Sequence, residues 1–249
     1  MVPTGNDSGM APVRVVAAHE LVLEQIRTAI MLGRFRPGDC LPPERALAEF
    51  LNVSRTTVRG AVAILAEEGL VDVRRGRGGG LFVRETHFDT ASVRKALKNN
   101  RDEILEVFEF RTTVESACAA AAARRRTATD LRTMHRLIDE MAAMKGPDGG
   151  LPATPTESAH FHRLDTDFHL AIAKAARNRW LEAAVLTGRI EMFRPAGSLF
   201  NALDVTGDYL HEEILQAIED AEPERAAAFM AEHINTTCRV VESWFTPQA

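Results

Sequence analysis

The sequence predicts a mainly α-helical chain in two parts: three short helices closed by a β-hairpin at the N-terminus, then a longer, all-helical C-terminal unit. Three observations predict it. Between Leu41 and Leu65 two segments carry apolar residues at helical spacing and are separated by a tight turn at Asn52 and Val53. After Gly69 the pattern alternates, Leu70-Val-Asp-Val-Arg-Arg-Gly-Arg-Gly-Gly-Gly-Leu-Phe-Val83, as two short strands around a glycine-rich turn do. From Asn100 onward helix formers dominate and no strand pattern recurs. At 249 residues the chain exceeds the first unit by enough to build a second core.

The N-terminal elements follow in order. Residues 1–12, rich in Gly, Pro, Asn and Ser, read as a disordered tail. Residues 13–32 read as the first helix, with Leu21, Ile26, Ala29 and Ile30 as buried candidates. Pro42 and Pro43 suit the opening of a second helix, and Glu44 suits the positive end of its dipole. That helix is expected to end at Phe50 or Leu51, with Leu47, Ala48 and Leu51 facing a small core. Ser54 is an N-cap for a third helix, and Val53 with Val58 forms a hydrophobic staple that fixes the angle between the two.

The third helix turns Val58, Ala61, Val62 and Leu65 toward the core, which leaves Arg55, Thr56 and Arg59 on the other side. A helix presenting two arginines and a threonine at its N-terminal end suits a major groove, where arginine reads guanine or pairs with phosphate. Arg45 is better placed for backbone phosphate. In the hairpin, Arg74, Arg75 and Arg77 are within reach of phosphates or the minor groove, and Gly76 permits close backbone approach. The unit reads as a winged helix-turn-helix that binds operator DNA.

These blocks carry a family resemblance. The stretch from Leu21 to Val83, with its Pro-Gly, Leu-Pro-x-Glu-Arg, Val-Ser-Arg-x-Thr-Val-Arg and Glu-Gly-Leu-Val segments, resembles the DNA-binding domain of GntR-family bacterial transcription regulators. The resemblance implies DNA contacts from Arg45, Ser54, Arg55, Thr56, Thr57, Arg59, Arg75 and Gly76. Gly60 departs from the bulkier residue often found there and weakens the helix locally.

A formal charge of −5 looks wrong for a DNA binder. Residues 1–83, however, carry ten arginines against nine acidic residues, so the negative excess lies in the remainder. Local field, not total charge, governs the encounter. Cys40, Cys118 and Cys238 are odd in number, far apart and outside metal-binding spacings, which suits reduced thiols and a cytoplasmic setting. No apolar run reaches bilayer length, so no membrane partner is expected.

The C-terminal unit reads as helices over residues 100–126, from Thr127 to near 145, and over 157–176, 178–193, 207–220 and 223–244. Thr127 with Asp130 makes a capping box, and Pro223 opens the last helix. Residues 146–156 form a Pro/Gly-rich loop. Within these helices Asp165 and His169 lie four apart, about 40° from eclipsed, on one side. His211 and His233 occur among apolar neighbours in two later helices. Three imidazoles and a carboxylate suit a divalent transition ion. On spacing alone a solvated Asp165–His169 pair competes with that reading, and so do ligand sets that include His160 or His162.

Residues from about Asp102 to Glu242 resemble the FCD ligand-binding domain of the FadR-type branch, which implies an antiparallel helical bundle. Its Asp-x-x-x-His pattern, followed by a histidine in each of two later helices, falls on Asp165, His169, His211 and His233. Zinc is the first candidate for the ion, with nickel, manganese or iron as alternatives. Arg111 matches the family's arginine on the first bundle helix and would fork a small carboxylate metabolite, although an Arg111–Glu115 pair across one turn fits equally. Some members of the branch are metal-free and sense acyl thioesters, but all four ligand positions are present here. A metal-dependent hydrolase is a further, less favoured alternative, since His211-Glu-Glu-Ile-Leu215 lacks the second zincin histidine.

The expected organisation is a tail over 1–12, a winged helix-turn-helix over 13–84, a linker over 85–101 and a helical ligand-binding domain over 102–245. The expected function is a homodimeric, metabolite-responsive repressor of a palindromic operator, with no catalytic residues.

Overall fold

A computed structural model describes residues 17–84, 90–144, 154–193 and 210–245. The expected tail and most of the 146–156 loop lie outside these residues. The order of elements is α1 (Ala18–Met31), β1 (Cys40–Leu41), α2 (Glu44–Phe50), α3 (Arg55–Glu67), β2 (Val71–Arg74), β3 (Gly80–Val83), α4 (Thr90–Asn99), α5 (Arg101–Arg125), α6 (Ala128–Ala142), α7 (Pro155–Ala175), α8 (Arg179–Phe193), α9 (His211–Glu219) and α10 (Pro223–Ser243).

The winged helix-turn-helix is built as its residues dictate. Ser54 caps α3 by accepting from the Thr57 N–H at 3.0 Å, and Val58, Ala61, Val62 and Leu65 are buried. They join Leu47 and Ala48 of α2 and Val22, Leu23, Ile26 and Ile30 of α1 in one apolar core. Leu21, expected in that core, is 57 % exposed, because α1 turns its neighbours Val22 and Leu23 inward instead. Pro43 is the N-cap of α2 and the helix starts at Glu44.

The hairpin pairs Val71 with Val83 and Val73 with Leu81, and β1 adds a third strand on the far side of β3. That strand was not predicted, because two residues carry no periodicity and their partner lies about 40 positions away.

In the C-terminal unit α5 is the central helix and packs against α7, α8, α9 and α10. The capping box at Thr127 and Asp130 forms as expected. A second one, Thr154 with Glu157, starts α7 at Pro155 and not at Glu157. Segment 85–101, read as a linker, contains α4, whose Leu97 is buried in the bundle core. Arg94 of α4 lies 4.8 Å over the Trp244 ring at the end of α10.

The end of α1 reaches the bundle. Gly33 adopts φ +66° and closes the helix through Gly33 N–H to Ile30 O and Arg34 N–H to Ala29 O, both at 2.9 Å. A Cβ at Gly33 would come within 2.9 Å of Arg163 Cβ and 3.0 Å of the Ala159 carbonyl, both on α7. Met31 and Leu32 belong to the bundle core, and Arg34 pairs with Asp167 of α7 at 2.7 Å.

Candidate functional site

Three helices bring Asp165, His169, His211 and His233 together. Asp165 and His169 lie one turn apart on α7, His211 is the first residue of α9, and His233 lies midway along α10. Leu210, at φ +73°, sets the entry to α9 in a conformation costly for a bulky side chain, so the packing around it must hold it there. All four side chains are buried, and one ligand atom from each lies within 4.8 Å of the others. His169 Nε2 stands 3.2 Å from His233 Nε2, while Asp165 Oδ1 stands 3.1 Å from His211 Nε2 and 3.5 Å from His169 Nε2. In a tetrahedral zinc site neighbouring ligand nitrogens lie about 3.3 Å apart, so the donor types suit a divalent transition ion and these three separations are close to what one requires.

Residues behind the donors orient them. Glu115 of α5 bonds His169 Nδ1, which turns Nε2 toward the cluster. The other Glu115 oxygen accepts from Arg111 Nε at 2.7 Å. Arg111 Nη1 faces Met192 Sδ at 2.8 Å, and Gly188 leaves room for the arginine stem, since a Cβ there would lie 3.0 Å from Arg111 Cγ. Asp165 Oδ2 pairs with Arg189 of α8, whose Nη2 also donates to Thr166 Oγ1 at 2.7 Å. Both alternatives for Arg111 stay relevant: it forms the one-turn pair with Glu115, and that pair adjoins the histidine cluster.

Burial by itself would raise both carboxyls, yet their partners prevail. Arg111 and then His169 hold Glu115 far below the carboxylate range. Arg189, His169 and His211 do the same for Asp165. Burial, opposed by Glu115, lowers Arg111 from its ordinary value. His162, one turn before Asp165, is buried but is not among the converging donors, and His160 faces Arg163 at 2.9 Å.

The sequence reading missed Arg189 altogether and took Glu115 only as a partner for Arg111. A signal existed for both. Arg189 falls between buried Val185 and Met192 at spacings of four and three, and Glu115 falls on the buried stripe of Phe108, Arg111, Cys118 and Ala119. A charged residue on a buried stripe marks a paired group.

The residues expected to contact DNA lie at the surface of the N-terminal unit. Arg55, Thr56 and Arg59 are exposed on α3, and Arg59 Nη2 lies 3.2 Å from Glu44 of α2. Arg45 is exposed and lies 3.4 Å from Glu49. Ser54 and Thr57 bond each other through their hydroxyls at 2.8 Å. Beside them a cleft of about 430 Å³ opens between His19 of α1 and Thr56 and Gly60 of α3. In the wing, Gly76 has φ +95°, Arg75 and Arg77 are exposed, and Arg74 lies 4.3 Å over the Phe82 ring.

Comparison with known proteins agrees with this division. Residues 19–81 match the bacterial regulatory proteins of the gntR family, and residues 106–236 match the FCD domain. The HTH-type transcriptional regulator LutR of Bacillus subtilis is 28 % identical over 225 residues, which cover 86 % of this chain and 96 % of LutR. The Uxu operon transcriptional regulator of Escherichia coli is 34 % identical over 171 residues, 68 % of this chain and 59 % of that protein. Among solved structures, E. coli McbR/YncC aligns over 93 % of this chain and all of its own with a TM-score of 0.52 at 18 % identity, a likeness of fold. These relatives are regulators of transcription and not enzymes, and no helix among the described residues is long and apolar enough to cross a membrane. With a reading head at one end and an FCD domain at the other, this chain belongs to the GntR family and is a DNA-binding transcription regulator.

Proposed function

We propose that the protein is a homodimeric, one-component repressor, acting in the cytoplasm, whose hold on a palindromic operator depends on a divalent ion and a small organic acid bound in the FCD domain. The observation that carries this reading is the convergence of Asp165, His169, His211 and His233 in a buried centre. Asp165 and the three histidines would hold the ion, zinc first among the candidates, and the ion would supply a Lewis-acidic anchor for a ligand oxygen. Glu115 orients His169, and Arg111 offers a guanidinium to a carboxylate. Arg55, Thr56 and Arg59 would read base edges, and Arg45, Ser54, Thr57, Arg75 and Gly76 would hold the backbone.

The route between the sites is short. Helix α7 carries Asp165 and His169, and the same helix meets the end of α1 at Gly33 and Arg34. A shift of α7 on ligand binding would therefore move the head, and a coupling of about 1–3 kcal/mol is the usual size.

Elemental analysis of purified protein, with operator binding followed by fluorescence anisotropy before and after chelation, tests the reading. Metal at one ion per chain, lost in His169→Ala and in the Asp165→Ala/His169→Ala pair, is expected. Full occupancy in the double variant would refute the placement of the ion. Operator affinity indifferent to metal and to every small acid would refute the sensing role.

A further inference from the structure

Gly60 stands inside α3 at a place where the fold itself does not require a glycine. Its φ is not among the positive ones, and a Cβ added there would meet only His19 Cβ, at 3.7 Å, an ordinary contact. Glycine is also the poorest helix former after proline, so a larger residue would suit α3 better on local grounds. What the missing side chain leaves is space. Gly60 lines the cleft of about 430 Å³ that opens between α3 and the start of α1, with His19 on the opposite wall.

The lining points to the kind of group that fits. Apart from Ala18 and Ile64, its side chains are the hydroxyls of Ser54, Thr56 and Thr57 and the imidazole of His19, with no carboxylate among them. The Ser54 and Thr57 hydroxyls lie 2.8 Å apart and share one proton, which leaves the second proton of the pair to donate outward. The Thr56 hydroxyl and the His19 ring have no partner among the described residues. Small-molecule pockets are walled mainly by apolar and aromatic groups, whereas hydroxyls and other neutral donors at a surface suit phosphodiester oxygens. Position agrees with chemistry. About the axis of α3, Gly60 falls about 40° from Thr56 and about 100° from Arg59, so the cleft flanks the side that carries both arginines. A duplex that takes Arg55 and Arg59 into its major groove brings one strand's backbone along that flank.

Building on the placement of DNA along α3 proposed above, we infer that the cleft seats one backbone phosphate of the bound duplex, with His19 donating to it from α1 and Gly60 leaving it room. Glycine serves here by allowing close approach of the ligand and not by its conformation. His19 is then a positioning contact that carries no base preference.

Full-length protein first selects a duplex from a random library. Its binding to that duplex, and to a scrambled one of the same composition, is then followed by fluorescence anisotropy. His19→Ala should weaken both by the same factor, about tenfold. Gly60→Leu, which fills the cleft, should do the same and carries the test if the first variant does not fold. The double variant should lose no more than either alone, because each removes the same contact. Gly60→Ala should raise the melting temperature and keep DNA binding. Replacing phosphates of the selected duplex one at a time by neutral methylphosphonate should reveal one flanking position that weakens the wild type and leaves His19→Ala unaffected. Wild-type affinity in both His19→Ala and Gly60→Leu, or a methylphosphonate scan identical for wild type and His19→Ala, overturns the inference. So does a loss confined to the selected duplex, which would assign His19 to a base. Arg55→Ala without effect on either duplex would instead overturn the placement of DNA along α3.

Discussion

The reading head and the FCD domain bury different things. The head's core is wholly apolar, from Val22 on α1 to Val83 on β3, and the arginines of α3 and the wing stand in solvent. Among the described residues every buried polar or charged group lies at or beyond Arg111, in the bundle. The head's exposed arginines are thus separate from the residues that hold its core, so its surface can be altered with little cost to its fold. In the bundle the groups suited to ligand chemistry are also part of the interior, and each must stay paired for the helices to pack.

The largest expected effect tests that contrast directly. Glu115→Ala strips Arg111 and His169 of a shared buried partner and should cost about 3–5 kcal/mol in urea unfolding. Arg45→Ala on the head, at an exposed position, should stay within about 0.5 kcal/mol. Equal losses would erase the distinction.

Acidification should act on the bundle as well. The buried His162 imidazole is pushed down to about 4 from its ordinary 6.5, by burial first, opposed by Asp165 and reinforced by Arg189. Between those values the unfolded chain takes up a proton that the folded chain refuses. Stability is therefore complete above about pH 6.5 and is lost as the pH falls toward 4, by on the order of 3 kcal/mol. In His162→Gln the plot of melting temperature against pH should be flatter over that window, and an unchanged slope would show that other groups dominate.

On the head the effect should appear in recognition and not in stability. Arg55→Ala should lose about 1–3 kcal/mol of discrimination between operator and random duplex, whereas Arg45→Ala should weaken both alike. Identical profiles for the two would remove the division between base and phosphate contacts. A small stability change is expected at the joint between the units as well. Arg34 and Asp167 are 40 % and 24 % exposed, so Arg34→Ala should cost less than about 1 kcal/mol. The same variant should reduce the influence of metal on operator affinity, and full retention of that influence would exclude this contact from the route.

Different parts of the molecule were legible in the sequence to different degrees. The Ser54 cap, the Thr127–Asp130 box and the buried face of α3 were all readable, because capping and helical period act within four residues. Leu21 was misplaced because positions 21 to 23 are all apolar, and pattern alone leaves the buried face of such a run open. Strand β1 and helix α4 were missed for related reasons. The first draws its order from β3, and the second from Leu97 packing on a distant core. At the candidate centre, the spacing of Asp165 and His169 placed both on one side of a helix, and His211 and His233 stood out as histidines among apolar neighbours, but only the resemblance to a family preferred this set over His160 or His162.

Sequence alone settled that this chain makes a winged head and a set of amphipathic helices, because each rests on interactions between residues close in the chain. It did not settle which four of the molecule's ionisable side chains would meet. Eight histidines are spread along the chain, and three of them, from α7, α9 and α10, come together with Asp165. The pairing of Arg189 with that aspartate and the seating of Gly33 against α7 were likewise decided by tertiary packing. Helical period fixes the direction of a side chain about its own axis. The meeting of two such directions depends on how helices far apart in the chain lie against one another, which is set by the whole core.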